Sequence, residues 1–584
     1  MTNNEIAKTL QEISEYLEIQ DDSFRARAYN RASGVIASLE RHASDIYKEG
    51  GIKALEKIPS VGKGIAEKIE ELLTKNSIAY LEQLKKELPA NISELSAVEG
   101  VGPSTIKTLY KKLGVKTLAD LEKVARTGKI RALPHFGQKS EQKILKSIEF
   151  LKKNKGRFLL GEILPIARSI EKRIGDIPGV SRVNIAGSLR RMQETIGDID
   201  IVVSASDPSA VMKAFISFPE VTHIYGTGHT KTNVRLAIGI DADVRVVKEK
   251  EYGATLLYFT GDTQHNIELR KLAIKKRWKL SEYGLYKGTK FLAGHTEEEV
   301  YKKLGLAWIP PEIRTASGEI KSAQTRTLPD LIPYGSIRGD LQVQTSWSDG
   351  IESIEKMAIA AMANGLSYIA ITDHTKSLGV AGGLSERELA RQGKEIDMLN
   401  KKFNEKKFHI FKSAEINIFK NGRFDISDSA LKKLDVVSAS VHSHFGMTEN
   451  EMTERIIKAM KHPLLNIFFH PTGRLLKKRE PYQVDILKII KAAKEYGVAL
   501  EVNAQPQRLD LKDTHIRLAV EHGVKLIVNT DAHAPDHFRY LDFGIGQVRR
   551  GWGKRADLLN TKPADQLLKS LRKLKMVKLE SAKK

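Results

Sequence analysis

The pattern of apolar and polar positions changes along the chain. Up to about residue 155, apolar residues recur every three or four positions, which is typical of short amphipathic helices: Ile6, Leu10, Ile13 and Leu17, then Leu55, Ile58, Ile65, Ile69 and Leu72. From about 157 to 315, runs of strand length occur at 183–185, 199–203 and 244–247, with helical segments between and after them. This part of the chain therefore predicts a helical region followed by a mixed α and β region.

The C-terminal part repeats one pattern. Short apolar runs alternate with helical segments, at 368–372, 436–440, 467–469, 499–502 and 526–529. Repeated strand–helix units predict a parallel sheet or a barrel. The preceding stretch, 312–335, is rich in Ser, Thr, Pro and Gly and predicts a linker. With 584 residues, the chain has the length of roughly three or four domains.

Charge narrows the choice of partner. The net charge is +23, which favours a polyanion, although a basic surface that serves only solubility is the alternative. No apolar run reaches the ~18 residues of a membrane span, and the first five residues lack the pattern of a secretory signal. We therefore expect a cytoplasmic, monomeric protein that binds nucleic acid and no membrane. Because the chain has no cysteine, any metal must be held by His, Asp and Glu.

Glycine-containing turns precede helices at three places in the helical region. They contain Gly62 and Gly64, then Gly100 and Gly102, then Gly137. Glycine permits close approach of the backbone, and the following helix offers free N–H groups to a phosphate. The turns resemble helix-hairpin-helix motifs, with Ser60 and His135 at the place of a usual first glycine. Three ordinary turns between helices are the alternative, but the repetition in a basic region favours DNA binding.

A second group of residues predicts nucleotide chemistry. Gly187-Ser188 follows a strand and opens a helix, which suits a triphosphate together with Arg191. Asp198 and Asp200 lie two positions apart on a strand, so that both carboxylates share one face. A third carboxylate would complete a site for two Mg²⁺ or Mn²⁺ ions, and spacing alone does not choose between Asp241 and Asp243. A lone Asp-x-Asp would more simply be a solvated strand end.

These residues resemble the palm and thumb motifs of family X DNA polymerases, the group of polymerase beta. The resemblance rests on Gly187-Ser188, Asp198-x-Asp200, Asp243-Val244-Arg245 and the segment from Tyr258 to Arg270. It assigns the third metal ligand to Asp243 and the contacts with the incoming dNTP and template to these residues: Ser188, Arg191, Tyr258, Gly261, Asn266 and Arg270. It also places Lys68 where relatives carry a Schiff-base lysine for 5′-deoxyribose-phosphate lyase activity, whereas a solvated lysine is the simpler interpretation.

The C-terminal region carries histidines and acids at strand ends. They are Asp349, His374, Glu415, His442, His470, Asp531 and His533. Imidazole and carboxylate together suit Zn²⁺ or Mn²⁺, and the loops of a barrel gather distant residues at one face. In order, these residues resemble the polymerase and histidinol phosphatase (PHP) domain, which implies a trinuclear metal site used for 3′–5′ exonuclease work.

Two positions depart from that family's pattern. Gln342 and Gln344 stand where the family has an opening His-x-His motif. A neutral amide is a weak ligand for a transition metal, so we expect a weakened exonuclease. A natural loss of activity, a partial site that keeps two metals and a deliberate inactivating pair of substitutions all fit the sequence.

The resemblance divides the chain into an N-terminal helical DNA-binding domain (1–85), fingers (86–155), palm (156–250), thumb (251–315), linker (316–335) and a distorted βα-barrel PHP domain (336–584). The leading hypothesis is a DNA-directed DNA polymerase that fills gaps in primer-template or gapped DNA during base-excision or end-joining repair. A manganese-dependent exonuclease or phosphoesterase and a non-catalytic DNA-binding scaffold are the alternatives.

Overall fold

The computed structural model describes residues 3–581 apart from 38, 40, 97, 99, 135, 154 and 155. His135 of the third predicted turn therefore lies outside the described residues. The N-terminal region is helical, as predicted. Its helices are α1 (Asn3–Ile19), α2 (Ser23–Ala37), α3 (Ala43–Leu55), α4 (Lys63–Lys75), α5 (Ala79–Glu87), α6 (Ile92–Ser96), α7 (Pro103–Leu113), α8 (Leu118–Arg126) and α9 (Gln138–Lys153).

These helices bury the residues that carry the helical periodicity. Ile6, Leu10, Ile13 and Leu17 are fully buried along one face of α1, and Ile65, Ile69 and Leu72 form the buried face of α4. The two faces belong to one continuous apolar core. Because a single amphipathic helix cannot bury its own apolar stripe, mutual packing of these stripes is what holds the region together.

The next region is built on a five-stranded sheet. Its elements are β1 (Phe158–Leu159), α10 (Leu160–Gly175), β2 (Val180–Ile185), α11 (Gly187–Arg190), β3 (Thr195–Ile196), β4 (Asp198–Ala205), α12 (Pro208–Ile216), β5 (Val221–Thr227), β6 (Lys231–Leu236) and β7 (Asp241–Val247). The strand order is β2-β4-β7-β6-β5, and only β4 and β7 pair in parallel. The predicted strands at 183–185, 199–203 and 244–247 all lie in this sheet.

A smaller α and β unit follows the sheet. It contains α13 (Tyr252–Thr260), α14 (Thr263–Lys275), β8 (Lys279–Ser281), β9 (Gly284–Lys287), β10 (Lys290–Ala293), α15 (Glu297–Leu304) and α16 (Glu319–Thr325). The interval 316–335, predicted as a linker, thus contains a helix. Glu319 at its start is fully buried, bonds the imidazole of His265 at 2.7 Å and accepts hydrogen bonds from the N–H groups of Ala316 and Ser317. These contacts pack the interval onto α14, so the linker prediction is wrong there.

The C-terminal region is a βα barrel. Its elements are β11 (Gly339–Val343), α17 (Ile354–Ala363), β12 (Tyr368–Ile371), α18 (Glu386–Phe403), β13 (His409–Lys412), β14 (Glu415–Asn417), α19 (Asp428–Leu431), β15 (Ser438–Ser440), α20 (Glu449–Met460), β16 (Ile467–Phe468), α21 (Ile486–Tyr496), β17 (Ala499–Asn503), α22 (Asp513–Glu521), β18 (Leu526–Asn529), α23 (Leu541–Arg550) and α24 (Ala564–Ser581).

The barrel strands form two parallel sheets, β11-β12-β13 and β14 to β18. Parallel bridges connect the two sheets, from His374 to Glu415 at one junction and from Val343 to Ala532 at the other. The ring of strands is therefore closed, which confirms the predicted barrel. Apolar residues of these strands are buried in two clusters, as expected for parallel strands covered by helices.

Candidate active sites

The carboxylates of the sheet face one another across two strands. Asp198 and Asp200 lie on β4, directly opposite Asp241 and Asp243 of the parallel strand β7. Asp241 is held by Arg235 through an ion pair of 2.6 Å, whereas Asp243 lies beside Asp200. The pairing therefore brings together the set Asp198, Asp200 and Asp243, and gives Asp241 a different partner.

The protonation behaviour of Asp200 reflects this crowding. Burial raises the pKa of Asp200 to about 7, and the charges of Asp198 and Asp243 act in the same direction. Asp243 also lies 3.5 Å from the Lys231 ammonium and accepts a hydrogen bond from Asn233. Three carboxylates that repel one another form a donor set that fits divalent cations such as Mg²⁺, because bound cations relieve the repulsion.

The close approach of Asp200 requires a glycine at position 187. Its φ is +60°, and a Cβ at this position would lie 2.4 Å from Asp200 Oδ2. The adjacent Ser188 Oγ is buried and has no hydrogen-bond partner among the described residues. A buried hydroxyl without a partner is suited to donate a hydrogen bond to a ligand oxygen.

A cavity of about 490 Å³ connects these residues with the segment after the sheet. Its lining includes Gly187, Ser188, Arg191, Asp198, Asp200, Tyr258, Gly261, Asn266 and Arg270, together with Arg157, Gln193, Gly197, Phe259, Asp262 and Thr263. Nearly all residues predicted for nucleotide binding thus meet in one place. Asp243 is not part of this lining and lies beside Asp200 on the neighbouring strand β7.

The segment from Tyr258 to Arg270 is held in shape by its own hydrogen bonds. The Asn266 amide donates to the Tyr258 carbonyl at 2.7 Å, and Arg270 Nε donates to the Asn266 carbonyl at 3.3 Å. Arg191 donates to the Thr260 carbonyl, which ties this segment to the Gly187 turn. The two predicted parts of the nucleotide site are therefore joined directly.

Sequence reasoning missed a buried ionic network behind this cavity. Glu297 accepts bidentate hydrogen bonds from Arg190 at 2.7 and 2.8 Å and from Arg314 at 2.7 and 3.0 Å. Arg190 also donates to Thr260 Oγ1 at 2.7 Å. The network connects α11 with α15 and so fixes the smaller unit against the sheet. No local spacing signals it, because its members are far apart in the chain.

The barrel site is centred on Glu415. One carboxylate oxygen lies 2.8 Å from His470 Nε2 and 3.0 Å from His442 Nε2. Burial acts to raise the pKa of Glu415, but the charges of His374 and His442 and the hydrogen bonds from His442 and His470 hold it well below its usual range. A charged carboxylate ringed by imidazoles is a donor set that fits a metal ion.

A second group adjoins the first. Asp349 lies 3.6 Å from His374 Nε2 and 3.7 Å from His533 Nε2. His374 belongs to both groups, since its other ring nitrogen lies 3.7 Å from Glu415. The ligand atoms of Asp349, His374 and His533, and those of His374, Glu415 and His442, lie close enough to hold metal ions. Asp531 adjoins this group, because His533 Nδ1 bonds its carbonyl oxygen at 2.7 Å.

The two glutamines occupy the remaining space beside Glu415. Gln342 Nε2 and Gln344 Nε2 both donate to Glu415 Oε2, at 3.2 and 2.9 Å. A histidine would offer a lone pair to a metal from this place, whereas an amide N–H offers only hydrogen. Gln344 Oε1 is buried without a hydrogen-bond partner among the described residues. The glutamines therefore use one of the central carboxylate oxygens for hydrogen bonding.

Three further polar residues of the barrel were missed. Asn503 donates to Gln342 Oε1 at 3.1 Å and to Asp531 Oδ2 at 3.2 Å. Arg508 Nε lies 3.4 Å from the same Asp531 carboxylate. Burial raises the pKa of Glu501 well above its usual value. Of the three, only Asn503 stands at a strand end, where its polar side chain could have indicated a role in the site.

The predicted hairpin turns precede helices, as expected. Gly62 and Gly102 are the N-cap residues of α4 and α7, and neither helix has a side-chain cap, so first-turn N–H groups are open to a ligand. Gly137 immediately precedes α9. Ser60 and Gly100 take equivalent left-handed conformations, with φ of 62° and 85°. Ser60 thus adopts the conformation that glycine provides more easily.

Lys68 lies on α4, one turn after the first hairpin. Its ammonium is 3.8 Å from the Glu71 carboxylate and 6.0 Å from the centre of the Tyr80 ring. The 5′-deoxyribose-phosphate lyase role of Lys68 stays a prediction. Within the described part of the chain, no helix combines the length and apolar character needed to cross a membrane.

The fold and the two sites define a polymerase-beta-like nucleotidyltransferase with helix-hairpin-helix turns and a barrel that carries candidate metal ligands. Comparison with protein families agrees: residues 1–78 match a helix-hairpin-helix domain, 92–149 a SAM-like helix-hairpin-helix tandem, 255–315 the DNA polymerase beta thumb and 340–505 the PHP domain. The chain belongs to the family X DNA polymerases that carry a C-terminal PHP domain, and is therefore an enzyme of the nucleotidyltransferase class.

Individual relatives give the same result. The chain is 35% identical over 567 residues to DNA polymerase/3′-5′ exonuclease PolX of Bacillus subtilis (strain 168), covering 96% of this chain and 98% of the relative. DNA polymerase lambda of Arabidopsis thaliana is 28% identical over 45% of this chain and 54% of its own length. A probable phosphatase of Caldicellulosiruptor bescii is 30% identical over 31% of this chain and 73% of its own length.

Proposed function

We propose that this enzyme adds dNMP units to the primer 3′-hydroxyl of gapped DNA, using Asp198, Asp200 and Asp243. The observation that supports this most strongly is the pairing of Asp200 with Asp243 beside the Gly187 turn, in a cavity of about 490 Å³. The open N-termini of α4 and α7 suit the phosphates of a DNA duplex. Gap filling in DNA repair is the physiological role that fits these features.

The residues of the cavity have two kinds of role: some supply charge and others position the substrates. Two divalent cations held by the three aspartates would activate the primer hydroxyl and neutralise the leaving pyrophosphate. Ser188 and Arg191 would bind the triphosphate, since one offers an unpartnered hydroxyl and the other a buried guanidinium. Tyr258 and Gly261 would line the sugar pocket, while Asn266 would contact the incoming nucleotide and Arg270 the template.

The test is primer extension on DNA with a one-nucleotide gap. Asp200→Ala should abolish extension, while binding of the same DNA in EDTA stays within about twofold of the unmodified protein. Asp241→Ala is the matched control, because this residue lies on the same face of β7 but pairs with Arg235. Extension by Asp200→Ala at the unmodified rate would refute the assignment, as would abolition of synthesis by Asp241→Ala alone.

We further propose that the barrel is a weakened 3′–5′ exonuclease site. Asp349, His374, Glu415, His442, His470, Asp531 and His533 would hold Zn²⁺ or Mn²⁺, which when bound would supply an activated water for phosphodiester hydrolysis. Gln342 and Gln344 support the weakening, because their amide groups hydrogen-bond the central Glu415 where imidazoles would donate lone pairs.

Introducing histidines at positions 342 and 344 tests the barrel proposal. Gln342→His/Gln344→His should digest a labelled single strand with Mn²⁺ faster than the unmodified protein. His442→Ala added to that variant should remove the gain, which would exclude a contaminating nuclease. Equal digestion by the Gln342→His/Gln344→His variant and the unmodified protein would show that the glutamines are not what limits hydrolysis.

A further inference from the structure

A cleft of about 300 Å³ lies between helix α9 and two loops of the barrel. It is lined from the helix by Lys139, Gln142, Lys143 and Lys146, and from the barrel mainly by Phe445, Arg479, Glu480 and Tyr482. None of these residues belongs to the polymerase cavity or to the barrel metal groups. The cleft is therefore a separate feature that needs its own explanation.

The helix side of the cleft is a row of lysines. Lys139, Lys143 and Lys146 occur at positions i, i+4 and i+7 of α9 and are all exposed, whereas Ile144 on the other face is buried in the helical core. Glu480 is the one acidic residue among those lining the cleft. A row of like charges along a groove favours a phosphate backbone as its ligand.

The barrel side of the cleft is a stacked platform. The rings of Phe445 and Tyr482 lie nearly parallel, at 10° with centroids 6.1 Å apart. The Arg479 guanidinium lies 4.3 Å from the Phe445 ring centre and is held there by a 2.6 Å hydrogen bond to the Gly473 carbonyl. Aromatic rings and guanidinium planes are the surfaces on which unpaired bases stack.

The platform is attached to the loops of the barrel site. Phe445 follows His442 by three residues, so their Cα atoms are at most about 11 Å apart. The Tyr482 hydroxyl donates to the carbonyl of Pro471 at 2.6 Å, and Pro471 is adjacent to His470. A base on this platform would therefore lie beside the loops that carry His442 and His470.

The other end of the cleft leads to the hairpins. Gly137 of the third hairpin turn directly precedes α9, so the helix that carries the lysine row begins at a predicted phosphate site. The cleft volume lies at the lower end of small-ligand pockets, about 300–1,000 Å³, which fits a nucleotide unit rather than a duplex. Positive charge, a stacking platform and a small volume together indicate one unpaired strand.

We propose that this cleft binds single-stranded DNA, with phosphates along the α9 lysines and a base on the Phe445–Arg479 platform, and directs a strand end into the barrel site. The direction of the strand rests on the proposed exonuclease function, whereas the binding itself does not. Phe445 would act by stacking, and the lysines by charge.

The test is binding of fluorescein-labelled oligo-dT to the full-length protein in EDTA, where no metal-dependent reaction occurs. Phe445→Leu keeps an apolar side chain but removes stacking, and should weaken binding by roughly five- to hundredfold. It should also reduce the quenching of a 2-aminopurine placed near the 3′ end. Lys143→Glu/Lys146→Glu should weaken binding and make its salt dependence shallower, by a slope of about 0.7 for each lost phosphate contact.

Matched variants separate these effects from general charge or packing. Phe419→Leu changes a phenylalanine of the same barrel that is 43% exposed, and Lys401→Glu/Lys491→Glu makes the same charge change on outer helices of the barrel. These controls should bind oligo-dT within about twofold of the unmodified protein. Gap filling by Phe445→Leu should also be unchanged, which shows that the protein is folded.

Equal oligo-dT affinity for Phe445→Leu, Lys143→Glu/Lys146→Glu and the unmodified protein would overturn the proposal. The outcome is independent of the exonuclease proposal. If the cleft variants lose binding but Gln342→His/Gln344→His shows no hydrolysis, the proposal for the cleft is supported and the proposed hydrolytic function is wrong. If hydrolysis is gained while binding is unaffected by the cleft variants, the cleft proposal fails alone.

Discussion

Replacing Gly187 by alanine tests the geometry of the synthetic site through a single methyl group. The new Cβ would lie 2.4 Å from Asp200 Oδ2, and ordinary contact begins at 3.4 Å, so the carboxylate must retreat by about 1 Å. A misplacement of ~1 Å at a reacting centre lowers the rate on the order of 100-fold. The left-handed conformation, with φ of +60°, also destabilises alanine by roughly 1–2 kcal/mol.

The assay is single-turnover extension on DNA with a one-nucleotide gap, at saturating dNTP and Mg²⁺, with thermal unfolding measured in parallel. Gly226→Ala is the control, because this glycine lies in the same sheet with nothing within 4 Å of a new Cβ and no positive φ. Gly187→Ala should lose about two orders of magnitude in rate with only a modest fall in Tm. A rate within threefold of the unmodified enzyme would refute the close approach of Gly187 and Asp200.

Three other perturbations have defined outcomes. Glu297→Gln leaves the fully buried Arg314 without its compensating charge and should destabilise the protein by roughly 3–5 kcal/mol in calorimetric unfolding, and a change below about 1 kcal/mol would contradict the network. Burial, reinforced by the charge of Lys512, lowers the pKa of His515 to about 4. The unfolded chain, in which the pKa of His515 is about 6.5, therefore binds the proton more readily than the folded protein. The free energy of unfolding is unaffected by this residue above about pH 6.5 and declines as the pH falls from about 6.5 towards 4. At pH 5 this amounts to at most about 2 kcal/mol, and His515→Asn should flatten the decline in urea unfolding. Gln342→His/Gln344→His should raise the manganese retained after gel filtration, and an unchanged metal content would show that these positions are not ligands.

The candidate metal ligands of the barrel could be anticipated residue by residue, but not as two adjoining clusters. Strand-end histidines and acids are recognisable because the loops of a parallel barrel meet at one face. That His374 contacts both Asp349 and Glu415 depends on how the ring of strands closes. The hydrogen bonds from Gln342 and Gln344 to Glu415 likewise follow from closure, since β11 and β14 belong to different sheets.

The sequence by itself determined the helical region, the sheet region, the repeated strand–helix units, the glycine turns and the Asp198-x-Asp200 pair, and it left a parallel sheet or a barrel open for the C-terminal part. These features are local: helical and strand periodicities and turn residues act over a few positions, and alternation along one strand already puts Asp198 and Asp200 on the same face. Only the tertiary structure decided what depends on contacts between distant segments. It paired Asp243 with Asp200 and Asp241 with Arg235, joined Arg190, Glu297 and Arg314, folded the interval 316–335 and set α9 against the barrel. The spacing of residues along the sequence does not indicate such contacts, because packing brings together side chains that are separated by tens to hundreds of residues in the chain.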